Sequence, residues 1–97
     1  MGEKLIPLDH PGVMLLEDYL EPLGITQYQL AKAIGVQQTR ISEIVRGKRR
    51  ITPETGIRIA RALGHSDDFW VQLQSDYDMR IARRKMGDLR IQRVVPA

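Results

Sequence analysis

Apolar residues recur at spacings of three and four along most of the chain, which is typical of amphipathic helices. In the first such segment Val13, Leu16, Leu20 and Leu23 follow Pro11, a residue suited to the first helical turn. Before the extreme C-terminus, no stretch alternates between apolar and polar residues as a half-buried strand does. The pattern therefore predicts an all-α protein.

Capping residues and glycines divide this pattern into five short helices. Thr26, Thr52 and Ser66 suit N-cap positions, and a glycine follows most of the apolar stripes. The predicted helices cover residues 11–22, 27–34, 38–46, 53–63 and 67–84.

Three regions follow from these helices. We expect an N-terminal arm over residues 1–8, one helical domain over 9–84 and a C-terminal arm over 85–97. Residues 89–95 of that arm alternate enough to permit a short strand.

Composition excludes several classes of protein. A chain of 97 residues supports one domain, and without cysteine it has no disulfide and no thiolate metal site. The two histidines are far apart, and no nucleophile–base pairing, phosphate-binding glycine loop or HExxH motif is present. No apolar run is long enough to span a bilayer. We expect a cytoplasmic protein that is not an enzyme, with no cofactor, no metal and no membrane partner.

Charge is segregated along the chain. Residues 1–31 contain one basic and five acidic residues, whereas residues 32–61 contain eight basic and two acidic residues. A concentrated basic segment in a chain of net charge +3 indicates a surface that binds a polyanion, although a solvated basic surface has the same composition. Arg58 and Arg61 are expected to form a solvated rim of this segment.

The second and third predicted helices fit a helix-turn-helix motif. Gly35 accepts the positive φ of a tight corner, and the small side chain of Ala31 permits close helix packing. Val36 and Ile41 are placed to fill the angle between the two helices.

The outward side of the third predicted helix carries hydrogen-bonding side chains. These are Gln38, Thr39, Arg40, Ser42, Glu43 and Arg46. Glutamine can pair with adenine, arginine with guanine, and threonine can offer its methyl group to thymine in the major groove. The segment Gly47-Lys48-Arg49-Arg50 follows directly and suits phosphate contacts.

The chain resembles the lambda-repressor-like (Cro/repressor, or Xre) helix-turn-helix family. The residues that carry the resemblance are Gln27, Leu30, Ala31, Ile34, Gly35, Val36, Ile41, Ser42, Ile44, Gly47 and Lys48. A narrower likeness to HigA-type antitoxins covers about residues 9–83. It rests on His10-Pro11-Gly12, Leu15-Leu16, Glu21-Pro22-Leu23-Gly24-Ile25, Arg40-Ile41-Ser42-Glu43-Ile44, Gly47-Lys48-Arg49 and Phe69-Trp70-x-x-Leu73-Gln74.

This resemblance implies a five-helix repressor that binds its own operator and masks a partner toxin, an mRNA-cleaving RNase. It places Gln38, Thr39 and Glu43 against bases, and Arg40 and Ser42 against a base or a phosphate. The phosphate contacts that we expect are Gln27, Arg46, Lys48, Arg49 and Arg50. Gly56 departs from the family pattern, in which we expect alanine inside the fourth helix. A glycine there lowers helix stability by about 1 kcal/mol relative to alanine.

We expect a homodimer on double-stranded operator DNA with inverted repeats, because one short recognition helix specifies only a few base pairs. Trp70, Leu73, Tyr77 and Ile81 form an apolar stripe and are the candidate dimer interface. The acidic first third would attract a basic RNase toxin. The alternatives are a stand-alone phage-type or Xre-family regulator without a toxin, and a helix-turn-helix scaffold that no longer binds DNA.

Overall fold

The computed structural model describes residues 9–96, and these form five helices and no strand. Helix α1 consists of three consecutive stretches, Pro11–Met14, the π-helical Leu15–Leu20 and Glu21–Leu23. The other helices are α2 (Gln27–Ile34), α3 (Gln38–Val45), α4 (Pro53–Leu63) and α5 (Phe69–Met86). None of these helices is long and apolar enough to cross a membrane. The predicted all-α, five-helix architecture is confirmed, and the predicted arm over residues 1–8 lies outside the described residues.

The corner between α2 and α3 forms as the sequence predicts. The Thr26 hydroxyl accepts from the Gln29 amide (3.0 Å), and the Gln29 side chain accepts from the Thr26 amide (2.8 Å), which starts α2. Gly35 ends it with φ at 75°, and the Val36 amide donates to the Ala31 carbonyl (3.0 Å). Two residues later α3 begins.

Helix α1 runs through Pro22, one residue further than predicted, and ends before Gly24. A proline inside an α-helix removes one hydrogen bond, and its ring clashes with the carbonyl four residues earlier. The six residues before Glu21 are π-helical, and the Glu21 amide donates to Leu16, five residues back. This wider turn accommodates the proline ring without breaking the helix.

The start of α5 differs from the prediction. The helix begins at Phe69 rather than residue 67, and Ser66 does not cap it, because its hydroxyl donates to the Asp68 carboxylate (3.0 Å). Asp67 instead accepts two hydrogen bonds from Arg61 (2.9 and 3.0 Å), which lower the pKa of that carboxyl. Asp67 and Asp68 thus form hydrogen bonds within the α4–α5 loop, before α5 begins.

The C-terminal arm forms no strand. Residues 89–95 have no strand partner within the described chain, and every residue from 82 to 96 is exposed. Alternation of side chains permits a strand, but a strand needs a neighbour to pair its backbone groups.

The core lies where the first four helices meet the N-terminal half of α5. Its largest fully buried side chains are Trp70, Leu15, Leu20, Leu30, Ile41, Ile44, Ile51 and Ile59. The Trp70 indole donates to Nδ1 of His65 (3.2 Å) and packs against the rings of Tyr19 and Phe69. The single tryptophan therefore joins α5 to α1 and to the loop before α5.

Two glycines allow helices to approach closely. A Cβ on Gly12 would clash with the Ile44 carbonyl oxygen, so α1 rests directly on the backbone of α3. A Cβ on Gly56 would lie 3.0 Å from Val71 and 3.3 Å from Ile51. The glycine inside α4, unexpected from helix propensity, is explained by its close contact with α5.

We predict that Gly12→Ala lowers the free energy of unfolding by about 1–3 kcal/mol, because backbone atoms of α3 must move to admit the methyl group. Gly56→Ala should cost less, since flexible side chains can yield and the gain in helix propensity offsets about 1 kcal/mol. Urea unfolding of both variants measures the difference. Equal losses would mean that α1 does not rest on the Ile44 backbone.

Candidate nucleic-acid interface

Helix α3 buries one side and exposes the other. Ile41, Ile44 and Val45 are buried in the core. On the opposite side Gln38 and Thr39 are exposed, while Ser42 and Glu43 are half-buried and Arg46 is exposed at the end of the helix. These five polar positions lie at spacings that place them on one face. The side chains of Gln38 and Thr39 make no hydrogen bond within the described chain, so they are available to an external partner.

Arg40 lies on a different side of α3 from this face. It is half-buried and borders a polar hollow of about 440 Å³ together with Gln37, Glu54 and Arg58. Arg40 thus lies beside the corner residue Gln37 and next to α4, at the edge of the outward face.

Arg58 holds the corner of the motif. Its Nη1 donates to the Ile34 carbonyl (2.6 Å), the last residue of α2, and its Nη2 pairs with Glu54 (3.3 Å). A cation that binds the last carbonyls of a helix also interacts favourably with the helix dipole. Arg58 was expected to lie on a solvated rim, but it ties α4 to the end of α2 and so fixes where α3 starts.

The basic turn after α3 is held against α5 by a buried glutamine. Oε1 of Gln74 accepts from the Ile51 amide (2.8 Å), and its Nε2 donates to Asp78 (3.0 Å). Asp78 also accepts from Arg50 (2.7 Å), so one carboxylate on α5 binds both the glutamine and the turn. This chain of hydrogen bonds sets the position of the segment that carries Lys48 and Arg50.

His10 lies beside the same turn. Its Nδ1 accepts from the Gly12 amide (2.9 Å) and caps α1, and its ring contacts Tyr77 edge-on at 5.2 Å. Burial lowers the pKa of His10, with Asp78 raising it and Arg50 lowering it. The neutral ring that this favours is the form whose Nδ1 can accept a hydrogen bond.

Two of the candidate DNA contacts pair with each other. Nε of Arg49 donates to Glu43 (2.8 Å), and both side chains are partly exposed. An exposed pair contributes about 0–1 kcal/mol, so opening it costs little. The pair offsets the negative charge of Glu43 on the outward face of α3.

The remaining candidates lie before and after α3 along the chain. Nε of Arg46 donates to the Ser42 carbonyl (3.2 Å), and Lys48 is exposed without a side-chain partner in residues 9–96. Gln27 is half-buried in the first turn of α2. The exposed cations after α3 therefore border the polar face on its C-terminal side.

A helix-turn-helix family model, HTH_3, matches residues 16–70, which span α1 from its π-helical stretch to the start of α5. The chain belongs to the helix-turn-helix family. This is a non-enzymatic family of DNA-binding regulators, in agreement with the prediction that the chain is not an enzyme.

Relatives from three bacteria are similar to this helix-turn-helix protein over most of its length. Virulence-associated protein I of Dichelobacter nodosus is 39% identical over 93% of this chain and 83% of its own. Antitoxin HigA-1 of Vibrio cholerae is 36% identical over 76% and 70%. The solved Pseudomonas aeruginosa antitoxin HigA with the higBA promoter is 30% identical, has a TM-score of 0.84 and covers 92% of this chain and 100% of that chain. The resemblance to HigA antitoxins is confirmed.

The apolar stripe on α5 is split between the core and the surface. Trp70 is fully buried inside this helix-turn-helix domain, so it has no surface to offer a second copy and is removed from the candidate dimer interface. Leu73, Tyr77 and Ile81 are half-buried and remain as candidates.

Sequence reasoning missed three residues that position the motif, namely Arg58, Gln74 and Asp78. The spacing of Glu54 and Arg58 indicates a helical ion pair but does not reveal the carbonyl that Arg58 also binds. Gln74 lies one residue after Leu73 in the α5 stripe, and a glutamine on the buried side of a helix is the signal that could have identified it.

We predict that Gln74→Leu lowers the free energy of unfolding by about 1–3 kcal/mol, because the buried Ile51 amide loses its acceptor. Gln72→Leu is the matched control on the same helix, since Gln72 is exposed and should cost less than about 0.5 kcal/mol. Denaturant unfolding of both variants tests this. A loss at Gln74 no larger than at Gln72 would show that the glutamine does not hold the turn.

Proposed function

We propose that this protein is a sequence-specific DNA-binding transcriptional repressor that places α3 in the major groove of its operator. The single observation that carries this proposal is that the outward face of α3 is polar, exposed and free of internal partners at Gln38 and Thr39. A solvated helix surface of ordinary composition is richer in lysine and glutamate than this face, which carries no lysine and one glutamate, Glu43.

The residues divide into two roles. Gln38, Thr39 and Glu43 are proposed to contact base edges, and Arg40 and Ser42 a base or a phosphate. Lys48, Arg49 and Arg50 are proposed to bind phosphates, together with Gln27 and Arg46. Arg49 pairs with Glu43, and Arg50 pairs with Asp78. Both ion pairs are exposed, so each arginine can leave its carboxylate for a phosphate at small cost.

A symmetric homodimer is the proposed working form. An eight-residue recognition helix reads only a few base pairs, and a two-fold axis doubles both the site and its specificity. The half-buried side chains on the second half of α5, Tyr77 and Ile81, are the proposed contact between copies. The operator would accordingly contain inverted repeats.

We predict that Gln38→Ala weakens operator binding by about 1–3 kcal/mol and relaxes specificity at one base position. Arg49→Ala should weaken binding to operator and random DNA alike. It should also reduce by about one the slope of the logarithm of the binding constant against the logarithm of the salt concentration. Gel shifts with the DNA upstream of the gene for this protein, with mutated operators and with random duplexes, measure both effects at several salt concentrations.

The control variant for this experiment is Gln72→Ala, an exposed glutamine on α5 outside the proposed interface. It should bind as the unmodified protein does. If Gln38→Ala and Arg49→Ala both lost affinity equally for operator and random DNA, the division between base and phosphate contacts would be wrong.

The second part of the proposed function is that of an antitoxin that neutralises an mRNA-cleaving RNase toxin. The likeness to antitoxin HigA-1 supports this role. Five acidic residues and one basic residue among residues 1–31 also supply charge complementarity to a basic partner.

We predict that a small basic reading frame lies next to this gene and that its expression alone arrests growth. Co-expression of this protein should restore growth, and the two proteins should co-purify. If expression of the neighbouring frame left growth unchanged while this protein still bound its operator, the alternative of a stand-alone Xre-family or phage-type regulator would be favoured.

A further inference from the structure

The C-terminal end of the protein extends away from the domain. The radius of gyration is 16.7 Å, whereas a compact chain of this length has about 12.5 Å. Helix α5 buries only Trp70 and Gln74, both in its first two turns. Beyond it, Ile91 is 77% exposed and Val94 is 93% exposed. A projecting apolar segment of this kind indicates a contact that the single chain does not make.

A groove of about 550 Å³ lies between α1 and α5. Its apolar lining includes Met14, Leu73 and Tyr77. Four carboxylates border it, those of Asp9, Glu17, Asp18 and Asp76. Two guanidinium groups of α5, those of Arg80 and Arg84, also line it, so acidic groups outnumber basic ones.

The arm and the groove are complementary in chemistry. The arm presents two apolar side chains at alternate positions, Leu89 and Ile91, with Arg90 between them and Arg93 two residues after Ile91. In an extended chain Leu89, Ile91 and Arg93 point to one side and Arg90 points to the other. The long arginine side chains can bend to reach carboxylates on the rim, Arg93 from the end of the arm and Arg90 from its outer side. The groove offers an apolar floor with a net negative rim.

The dimensions also agree. From Leu73 to Arg84 the groove follows eleven residues of helix, which is about 16 Å. An extended chain covers this length with about five residues at about 3.3 Å each. Residues 89–93 are therefore enough to fill it.

The chain's own arm does not occupy its groove. Every arm residue from 88 to 96 is exposed, and none lines the groove. The arm begins at Gly87, whose φ of 57° and ψ of −121° turn the backbone at the end of α5. A two-fold pairing would let each copy donate an arm and receive one, which doubles the contact.

We propose that the groove between α1 and α5 binds residues 89–93 of a second copy of this chain, with Leu89 and Ile91 on its floor and Arg90 and Arg93 on its carboxylates. This proposal rests on the proposed homodimer and specifies how the two copies hold each other. Truncation or charge changes in the arm would then act on dimer stability without touching a DNA contact.

The absence of cysteine from the sequence permits a direct test. One preparation carries Gln92→Cys on the arm, and another carries Asp18→Cys at the exposed rim of the groove. The two are mixed under mild oxidation, and mass spectrometry quantifies the disulfide between positions 92 and 18. Because each chain has one cysteine, that disulfide joins two chains. Ala33→Cys, an exposed position on α2 away from the groove, replaces Asp18→Cys in the control.

The expected result is that the 92–18 disulfide forms at least about tenfold faster than the 92–33 disulfide, because docking raises the effective concentration of the two thiols. Equal rates would overturn the proposal. So would a chain carrying both Gln92→Cys and Asp18→Cys that closes its disulfide within itself at every protein concentration, since the arm would then fold onto its own groove.

A charge exchange tests the same contact without cysteine. Arg90→Glu with Arg93→Glu should raise the dimer dissociation constant about tenfold in sedimentation equilibrium, because like charges then face each other. Adding Glu17→Lys and Asp18→Lys to the same chain should restore the dimer. An unchanged dissociation constant in the double arginine variant, or a dimer that the two lysine substitutions do not restore, contradicts the arm contact. Operator binding by the unmodified protein would then leave the proposed repressor intact.

Discussion

A recognition helix of eight residues is too short to be stable alone, so its shape depends on what it buries. In this protein Ile41, Ile44 and Val45 supply that burial, and Gly12 lets α1 rest on the Ile44 backbone. The whole inner side of α3 is used in this way. Because the inner side stabilises the helix, the side chains on its outer side are free to bind an external partner.

The two ends of the segment that is proposed to face DNA are fixed by polar contacts to the later helices. Arg58 of α4 binds the carbonyl of Ile34 before the corner, and Gln74 of α5 binds the amide of Ile51 after the basic turn. Helix α5 therefore positions the basic turn that is proposed to bind phosphates, and it also carries the proposed dimer surface. In the proposed repressor, the same helix would set both the spacing of two recognition helices and the orientation of each basic turn.

Local signals in the sequence were enough to predict the five helices, because apolar spacing, Thr26, Thr52 and Gly35 act within a few residues. Contacts between distant residues were not predictable in this way. The stripe on α5 showed that Trp70 must be buried, but not that this chain's own core buries it. Gly56 and Arg58 likewise depend on neighbours 15 and 24 residues away, Val71 and Ile34, which no local pattern reveals.

The central claim is that α3 lies in the major groove as one of two symmetric copies. Hydroxyl-radical footprinting of the upstream DNA, combined with methylation protection at guanine N7, tests it most directly. The account predicts two protected segments on one face of the duplex, about 34 Å apart, with guanine N7 protected in each. Protection of a single segment, or backbone protection with every N7 still reactive, would contradict it.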